Sequence, residues 1–343
     1  MTAPALTPAM TAAIIGIGPD TPSKGGATAV AYAHAWALRK AGIAVVAGAA
    51  RSAANRDGFQ RDFPAARMYA DYRTMLAETR AHLVSICAFP QDREAMALAA
   101  LAAGARILWI EKPVAVELAA AERIQAAAER VGARAFVNFQ RRYGQPFRWF
   151  GEAVAGGRIG DLLGIEVNQP GAVLMNFGPH LIDAALSAVG DRRPVAVLGA
   201  IDRSSAPTYQ GNPTEDHCLA VVHFADGVRL TIQSGDLPTR APILRAHGSA
   251  GFAELHGGVP SGGSSVFRLL AKGSAAVENP PCAEHFHHGV DEGNLYYDRL
   301  LADLLAATRE GRPCQVDLVH GIRVQAIMEA AERSAREGRV VRF

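Results

Sequence analysis

The sequence predicts an α/β protein: a doubly wound parallel sheet toward the N-terminus, then an α+β domain built on a large, mainly antiparallel open sheet. Three observations lead there. Between Ala12 and Phe139, short apolar runs of strand length alternate with helix-period stretches, as right-handed βαβ units require. From Leu162 to His247, strand-like segments follow one another with few helices between them, some joined by turns of the Asp226-Gly227 kind, which is how antiparallel sheets are built. A chain of 343 residues is long enough for two cores, so one domain is expected over residues 1–142 and a second over 143–343.

The first strand, from Ala12, breaks into Gly16-Ile17-Gly18, and a helix is predicted from about Ala27 to Ala41. Strand, glycine turn and helix in this order make a phosphate cradle. The first glycine permits the tight turn, the second lets backbone approach a pyrophosphate, and the helix N-terminus offers unpaired N–H groups. The connection Pro19-Asp20-Thr21-Pro22-Ser23-Lys24-Gly25-Gly26 is longer than usual, and the third glycine is displaced. Ile43 to Ala50 reads as the second strand. A site that prefers NAD carries an acid at that strand's end for the ribose hydroxyls. Here the chain reads Ala49-Ala50-Arg51-Ser52, a cation and a hydroxyl that suit a ribose 2′-phosphate, because guanidinium binds phosphate bidentately. NADP is the expected cofactor, with NAD the alternative.

Leu83 to Ala88 is a buried strand running into Phe89, Asp92 to Ala103 a helix closed by Gly104, and Arg106 to Ile110 an apolar strand that ends in Glu111-Lys112-Pro113. Open α/β sheets bind ligands outside the carboxyl ends of their strands. Ala88, Phe89, Glu111 and Lys112 therefore join Gly16, Ile17, Gly18, Arg51 and Ser52 as candidate cofactor-binding residues, and Lys112 is also a candidate catalytic group. Taken alone, Lys-Pro after a strand also fits an ordinary surface lysine. A helix from Glu117 to Val131, with Leu118, Ala121, Ile124, Ala128 and Val131 on one face, leads through Gly132 to a strand, Arg134 to Phe139, where the first domain should end.

In the second half, Leu162 to Asn168, Val195 to Ile201, Leu219 to Phe224, Val228 to Ser234 and Ile243 to His247 are the predicted strands. His180 is placed near the start of a helix opened by Gly178-Pro179, with Leu181, Ala185 and Val189 toward the core. Val259 to Ser265 is a Gly/Ser-rich loop, and Leu295 to Glu310 and Leu318 to Arg336 read as closing helices. The cluster Glu284-His285-Phe286-His287-His288 with Asp291 lacks the helical spacing or paired carboxylates that fix metal geometry, so it reads as a polar loop and no metal is expected. The chain contains no internal repeat.

Bulk properties narrow the function classes. Hydrophobic content of 49% with 20% charged residues is that of a soluble globular chain. A net charge of +2 leaves no basic excess to neutralise a row of phosphates, which argues against nucleic acid. Cys87, Cys218, Cys282 and Cys314 are widely separated, so neither a disulfide framework nor a thiolate metal site is indicated. No basic region precedes an apolar core at the N-terminus, and no apolar run approaches the roughly 18 residues of a membrane span. A cytoplasmic protein with no membrane partner is expected.

Gly16-Ile17-Gly18, Glu111-Lys112-Pro113 about a hundred residues on, and Leu174-Met175-Asn176-Phe177-Gly178-Pro179-His180-Leu181-Ile182-Asp183 beyond it together resemble the Gfo/Idh/MocA oxidoreductase family, which includes glucose-fructose oxidoreductases and inositol dehydrogenases. Supporting stretches are Ala99 to Gly104, Gly157-Arg158-Ile159-Gly160, Glu310-Gly311-Arg312-Pro313 and Ser334 to Val340. The resemblance spans nearly the whole chain. It implies a Rossmann domain, a cis peptide at Lys112-Pro113, dimers or tetramers, no metal, and a small polyhydroxylated substrate. It also implies that Lys112 reaches the reacting alcohol and that His180 is the acid/base.

The chemistry of that pair follows from the residues as well. Interconverting a secondary alcohol and a ketone needs a hydride partner at carbon and a proton partner at oxygen, and histidine is the natural proton carrier near neutral pH. On spacing alone a packed, structural His180 fits equally. The family often carries aspartate where Asn176 stands; asparagine can hydrogen-bond a hydroxyl but cannot take its proton, so Asn176 is expected to orient substrate. Few residues separate Asn168 from Leu174, so a more open pocket is expected. The leading expectation is an NAD(P)-dependent dehydrogenase or reductase of a sugar, cyclitol or sugar-derived acid. The alternatives are a catalytically silent NAD(P)-binding sensor and an NAD-dependent glycosidase.

Overall fold

The computed structural model describes residues 10–19, 30–171, 173–190, 192–238, 241–257, 266–282, 284 and 294–343. The chain divides into two compact units, Met1–Asn138 with His288–Val319, and Phe139–His287 with His320–Phe343. Asp20–Gly26 of the connection after the first strand, the Gly/Ser-rich loop and most of the histidine cluster lie outside the described residues.

The first unit runs β1 (Thr11–Ile15), α1 (Val30–Lys40), β2 (Ala44–Ala49), α2 (Ala53–Asp62), β3 (Arg67–Tyr69), α3 (Tyr72–Thr79), β4 (Leu83–Ile86), α4 (Pro90–Ala102), β5 (Ile107–Ile110), α5 (Leu118–Arg130) and β6 (Arg134–Val137). Its six strands are all parallel, in the order β3-β2-β1-β4-β5-β6. The chain builds outward from β1 on one side and then restarts at β4 on the other, which leaves a crevice at their carboxyl ends. Every residue of β4 and β5 is buried, because helices cover both faces of a parallel sheet; that is why these strands read as continuous apolar runs. α2, β3 and α3 were not expected. α2 is polar along most of its length and β3 has three residues, so neither presents an apolar period. Ser52 accepts from Asn55 N to cap α2, and Asp71 accepts from Arg73 N to cap α3. On α5 the buried stripe is Ala120, Ala121, Ile124, Ala127 and Ala128, whereas Val131, expected in the core, is the C-cap and 43% exposed.

The second unit opens with a short 3₁₀ turn, Gln140–Tyr143, and continues α6 (Gln145–Ala155), β7 (Leu162–Pro170), α7 (Leu174–Val189), β8 (Pro194–Asp202), β9 (Thr208–Tyr209), β10 (Asn212–Pro213), β11 (His217–Phe224), β12 (Arg229–Gly235), β13 (Leu244–Gly248), β14 (Phe252–His256) and β15 (Val266–Leu270). The chain then supplies α8 (Leu295–Glu310) to the first unit, where Lys40 pairs with Asp298 at 2.8 Å beside α1, before α9 (Leu318–Glu337) and β16 (Val341–Arg342). Eight strands form one sheet, β15-β14-β13-β7-β12-β11-β8-β16, antiparallel everywhere except between β7 and β12. α6 and α7 pack on one face of this sheet. α9 lies so close to β8 that a Cβ on Gly199 would strike the Ala331 carbonyl, and Ser334 Oγ accepts from Gly199 N at 3.0 Å.

α7 begins earlier than its sequence suggests. Gly178-Pro179 is not its start: the helix opens at Leu174, and Pro179 stands inside it. The buried carboxylate of Glu215 replaces the expected start signal by accepting from Leu174 N; it also accepts from Thr214 Oγ1 at 2.7 Å and Ser234 Oγ at 3.0 Å. A carboxylate at a helix N-terminus satisfies an orphan N–H and meets the positive end of the helix dipole. Removing it strands several buried donors at once, each costing about 1–3 kcal/mol. Glu215→Ala should therefore lower the thermal midpoint by several degrees, measured by circular dichroism, and Glu215→Gln, which keeps an acceptor, should lower it less.

Candidate active site

In the first unit, the site is built at the turn after β1. Gly16 has φ +90°, and a Cβ there would collide with the backbone of Cys87 and Ala88, so only glycine lets the ends of β1 and β4 approach this closely. Gly16 N and Ile17 N both donate to Ala49 O, at 3.1 and 3.3 Å, and Asn55 Nδ2 donates to Ile17 O at 3.2 Å. These contacts fix the floor of a cleft of about 610 Å³. Among the expected residues, Gly16, Ile17, Arg51, Ser52, Ala88 and Phe89 line it, while Gly18, Glu111 and Lys112 stand outside the lining. Asp71, Tyr72 and Arg73 also line it. They follow β3, a strand too short to carry a sequence pattern, and were not anticipated. The lining therefore combines two arginines, Arg51 and Arg73, with two aspartates, Asp71 and Asp92. A cleft floored by Gly16 at the switch point of a parallel sheet fits a dinucleotide.

Beyond β5, Lys112 is joined to Pro113 by a cis peptide and is half-buried. The residue before it is the centre of a buried polar network. Glu111 is 1% exposed. Its Oε1 accepts from Asn138 Nδ2 at 2.5 Å and lies 3.2 Å from His34 Nε2, and its Oε2 accepts from Lys112 N at 3.1 Å. His34 Nδ1 is 2.7 Å from Ser85 Oγ, and the imidazole stacks on Trp109 at 3.7 Å, whose Nε1 donates to Asn138 Oδ1. Burial lowers the His34 pKa, against the opposing hydrogen bond and charge of Glu111. Burial alone would raise the Glu111 carboxyl, but the hydrogen bond and charge of His34 and the charges of Lys112 and Arg93 outweigh it and hold Glu111 below the ordinary range. The result is an ionised carboxylate inside the sheet.

In the second unit, Asn176, His180 and Asp183 fall four and three residues apart on α7, which puts them along one face. Asn176 Oδ1 accepts from Tyr209 OH at 2.8 Å, and Gln210 Nε2 donates to that hydroxyl at 3.0 Å. Tyr209 is presented by the β9–β10 hairpin, whose Gln210 and Gly211 both have positive φ, the requirement of a type I′ turn. His180 is 5% exposed and meets the Phe139 ring edge-on at 6.3 Å. Asp183 forms a bidentate pair with Arg142, at 2.7 and 2.6 Å. Burial raises the Asp183 carboxyl, while Arg142 and Arg323 oppose the shift. Sequence reasoning missed Tyr209 and Arg142 as partners of this face because neither lies near α7 in the chain. Cys218 and Cys314 are pushed up to about 12 by burial, which removes them as nucleophiles. Among the described residues no cluster of histidine, cysteine and carboxylate side chains could hold a metal.

Two family models match, one described as the NAD-binding Rossmann fold of an oxidoreductase family, over residues 11–139, and one as the C-terminal alpha/beta domain of the same family, over residues 164–343. An inositol 2-dehydrogenase of Paracoccus denitrificans is 36% identical over 104 residues, 30% of this chain and 31% of that protein. A 1-carboxy-3-chloro-3,4-dihydroxycyclohexa-1,5-diene dehydrogenase of Comamonas testosteroni is 27% identical over 192 residues, 51% of this chain and 47% of that one. The matches thus span 31% and 47% of the length of these two curated relatives. Among solved structures, an aldose-aldose oxidoreductase from Caulobacter crescentus superimposes with a TM-score of 0.79 at 19% identity, covering 98% of this chain and all of that one. A myo-inositol 2-dehydrogenase from Lactobacillus plantarum gives 0.75 at 20% identity over 98% of this chain and 99% of that one. At such identities the likeness is one of fold. The two family models together cover most of the sequence, and the chain belongs to the Gfo/Idh/MocA oxidoreductase family.

Proposed function

We propose that the protein moves a hydride between a nicotinamide dinucleotide and the secondary alcohol or ketone of a sugar, cyclitol or sugar-derived acid. The observation that carries this reading is Lys112, a lysine fixed by a buried carboxylate at the carboxyl edge of a parallel sheet. The relatives named as inositol dehydrogenases and the aldose-aldose oxidoreductase structure support the substrate class. In this reading Gly16 and Ile17 hold the pyrophosphate, Arg51 and Ser52 the ribose, and Ala88 and Phe89 the wall, with Gly18 and Glu111 supporting the turns. The bound nicotinamide supplies the hydride acceptor or donor; the protein supplies everything at the oxygen. Lys112 holds the reacting oxygen and stabilises charge developing on it, His180 moves the proton, and Asn176 orients a substrate hydroxyl. A polyol and sugar panel followed by NAD(P)H absorbance tests the activity, and no turnover on any member would overturn it. A silent sensor is the second reading, favoured by Asn176, whose amide can hold a hydroxyl but cannot take its proton.

NADP is the preferred cofactor in this reading. Ala50 leaves no carboxylate at the end of β2, and Arg51 with Arg73 at the cleft rim suits a 2′-phosphate; Asp71 at the same rim is the feature that would favour NAD. Losing charged hydrogen bonds costs about 1.5–3 kcal/mol, so Arg51→Ala should weaken NADP by about tenfold or more and leave NAD nearly unchanged. Equal calorimetric affinities of the unaltered protein for the two cofactors would rule this out.

The catalytic roles predict kinetics of a particular form. Lys112→Ala and His180→Ala should each cut turnover about a hundredfold or more, with cofactor affinity little altered, and the double variant should be little worse than the poorer single one. Asn176→Ala should mainly raise the Michaelis constant. Near-normal turnover of His180→Ala at neutral pH would return His180 to a structural role.

We also propose that a second copy of the chain covers the open face of the eight-stranded sheet. Leu198 and Leu219 are 51% and 49% exposed on the neighbouring strands β8 and β11, and an open sheet face is either polar throughout or covered. Light scattering at micromolar concentration should give a dimer or tetramer; the mass of one chain would refute the assignment.

A further inference from the structure

Arg93 lies in the first turn of α4, where a charged residue ordinarily points to water. Instead it is fully buried. Its guanidinium turns back under the sheet edge: Nε donates to Ala88 O at 2.8 Å, and Nη1 donates to Glu111 O at 2.9 Å and to Pro113 O. Those acceptors are the carbonyls on either side of Lys112 and the one that follows β4. Glu111 completes the grip, its side chain taking the Lys112 N–H. Burying a guanidinium is costly unless its donors are met and its charge balanced; these carbonyls take the Nε and Nη1 donors, and the Glu111 carboxylate nearby balances the charge. Neither the core nor the helix needs a charge here, since Ala97, Ala100 and Leu101 already bury the apolar side of α4. The arrangement does one thing that an apolar residue could not: it holds the main chain on both sides of one lysine.

We propose that Arg93 is the positioning residue of Lys112, clamping the carbonyls that flank it to the end of β4 and so fixing where the lysine side chain leaves the sheet edge. The catalytic consequence rests on Lys112 acting at the reacting oxygen; the clamp itself does not. Displacing a catalytic group by about 1 Å can cost about a hundredfold in rate, so the clamp matters more to turnover than to affinity.

The experiment compares the full chain with Arg93→Lys, which keeps the charge beside Glu111 but lacks the planar fork. A second variant, Arg93→Met/Glu111→Gln, removes both buried charges together and so leaves no unpaired ion should the first variant fold poorly. The chain holds four lysines, Lys24, Lys40, Lys112 and Lys272, so acetic anhydride labelling read by peptide mass spectrometry reports Lys112 against the other three in the same molecule. In a folded variant, Lys112 labelling relative to Lys40 and Lys272 should rise about threefold or more as the turn loosens. In folded Arg93→Lys kcat should fall about tenfold to a hundredfold, with the NAD(P)H affinity little changed. A purely structural arginine would lower the melting temperature and leave the labelling ratio where it was. An unchanged ratio in either folded variant overturns the clamp, whatever turnover does. A raised ratio with unchanged kcat upholds the clamp and overturns the role of Lys112 under the proposed function.

Discussion

A negative charge buried where two strands of an apolar sheet end is the constraint on which the first unit depends. An ionised carboxylate removed from water is tolerated only when each oxygen is hydrogen-bonded and the charge is balanced. Glu111 meets that condition by drawing one group from each of its neighbours: His34 from α1, Asn138 from the end of β6, and the main-chain N–H of Lys112. His34 in turn is tied to Ser85 on β4 and stacked on Trp109 of β5. The first helix and the strands β4, β5 and β6 are therefore pinned at a common point, directly behind the lysine. Breaking one arm of such a network typically costs about 3–5 kcal/mol, far more than an exposed ion pair such as Arg67–Glu78 contributes.

The second constraint is steric. β1 and β4 are adjacent in the sheet but the chain leaves them toward opposite sides, and the crevice between their ends survives only if nothing fills it. Gly16 keeps it open, since any side chain would drive into the Cys87–Ala88 backbone. The cleft and the lysine edge thus arise from one topology and two kinds of local pressure, a missing Cβ and a buried charge. In the second unit a carboxylate again sets the geometry: Glu215 starts α7 six residues before His180 and so decides that Asn176, His180 and Asp183 share a helical face. Asp183 is then occupied by Arg142, and Asn176 by Tyr209, so the same face is braced from two directions.

The sequence by itself determined the fold class and most of the long elements, because alternating and 3.6-residue apolar periods are local and strong. β4, β5 and α5 were placed to within a residue or two, and α8 to the residue. Elements without an apolar period escaped notice: α2 is polar, β3 is short, and the β9–β10 hairpin has only two residues in each strand. What only the tertiary structure decided is which distant groups meet. Nothing near Glu111 in the chain points to His34 or Asn138, nothing about a charged first turn marks Arg93 as buried, and Gly178-Pro179 reads as a helix start until Glu215 arrives from a later strand connection. That α8 joins the first unit, after seven of the eight strands of the second sheet, is of the same kind. A buried polar group chooses its partners by proximity in the folded chain, and periodicity along the sequence carries no record of that choice.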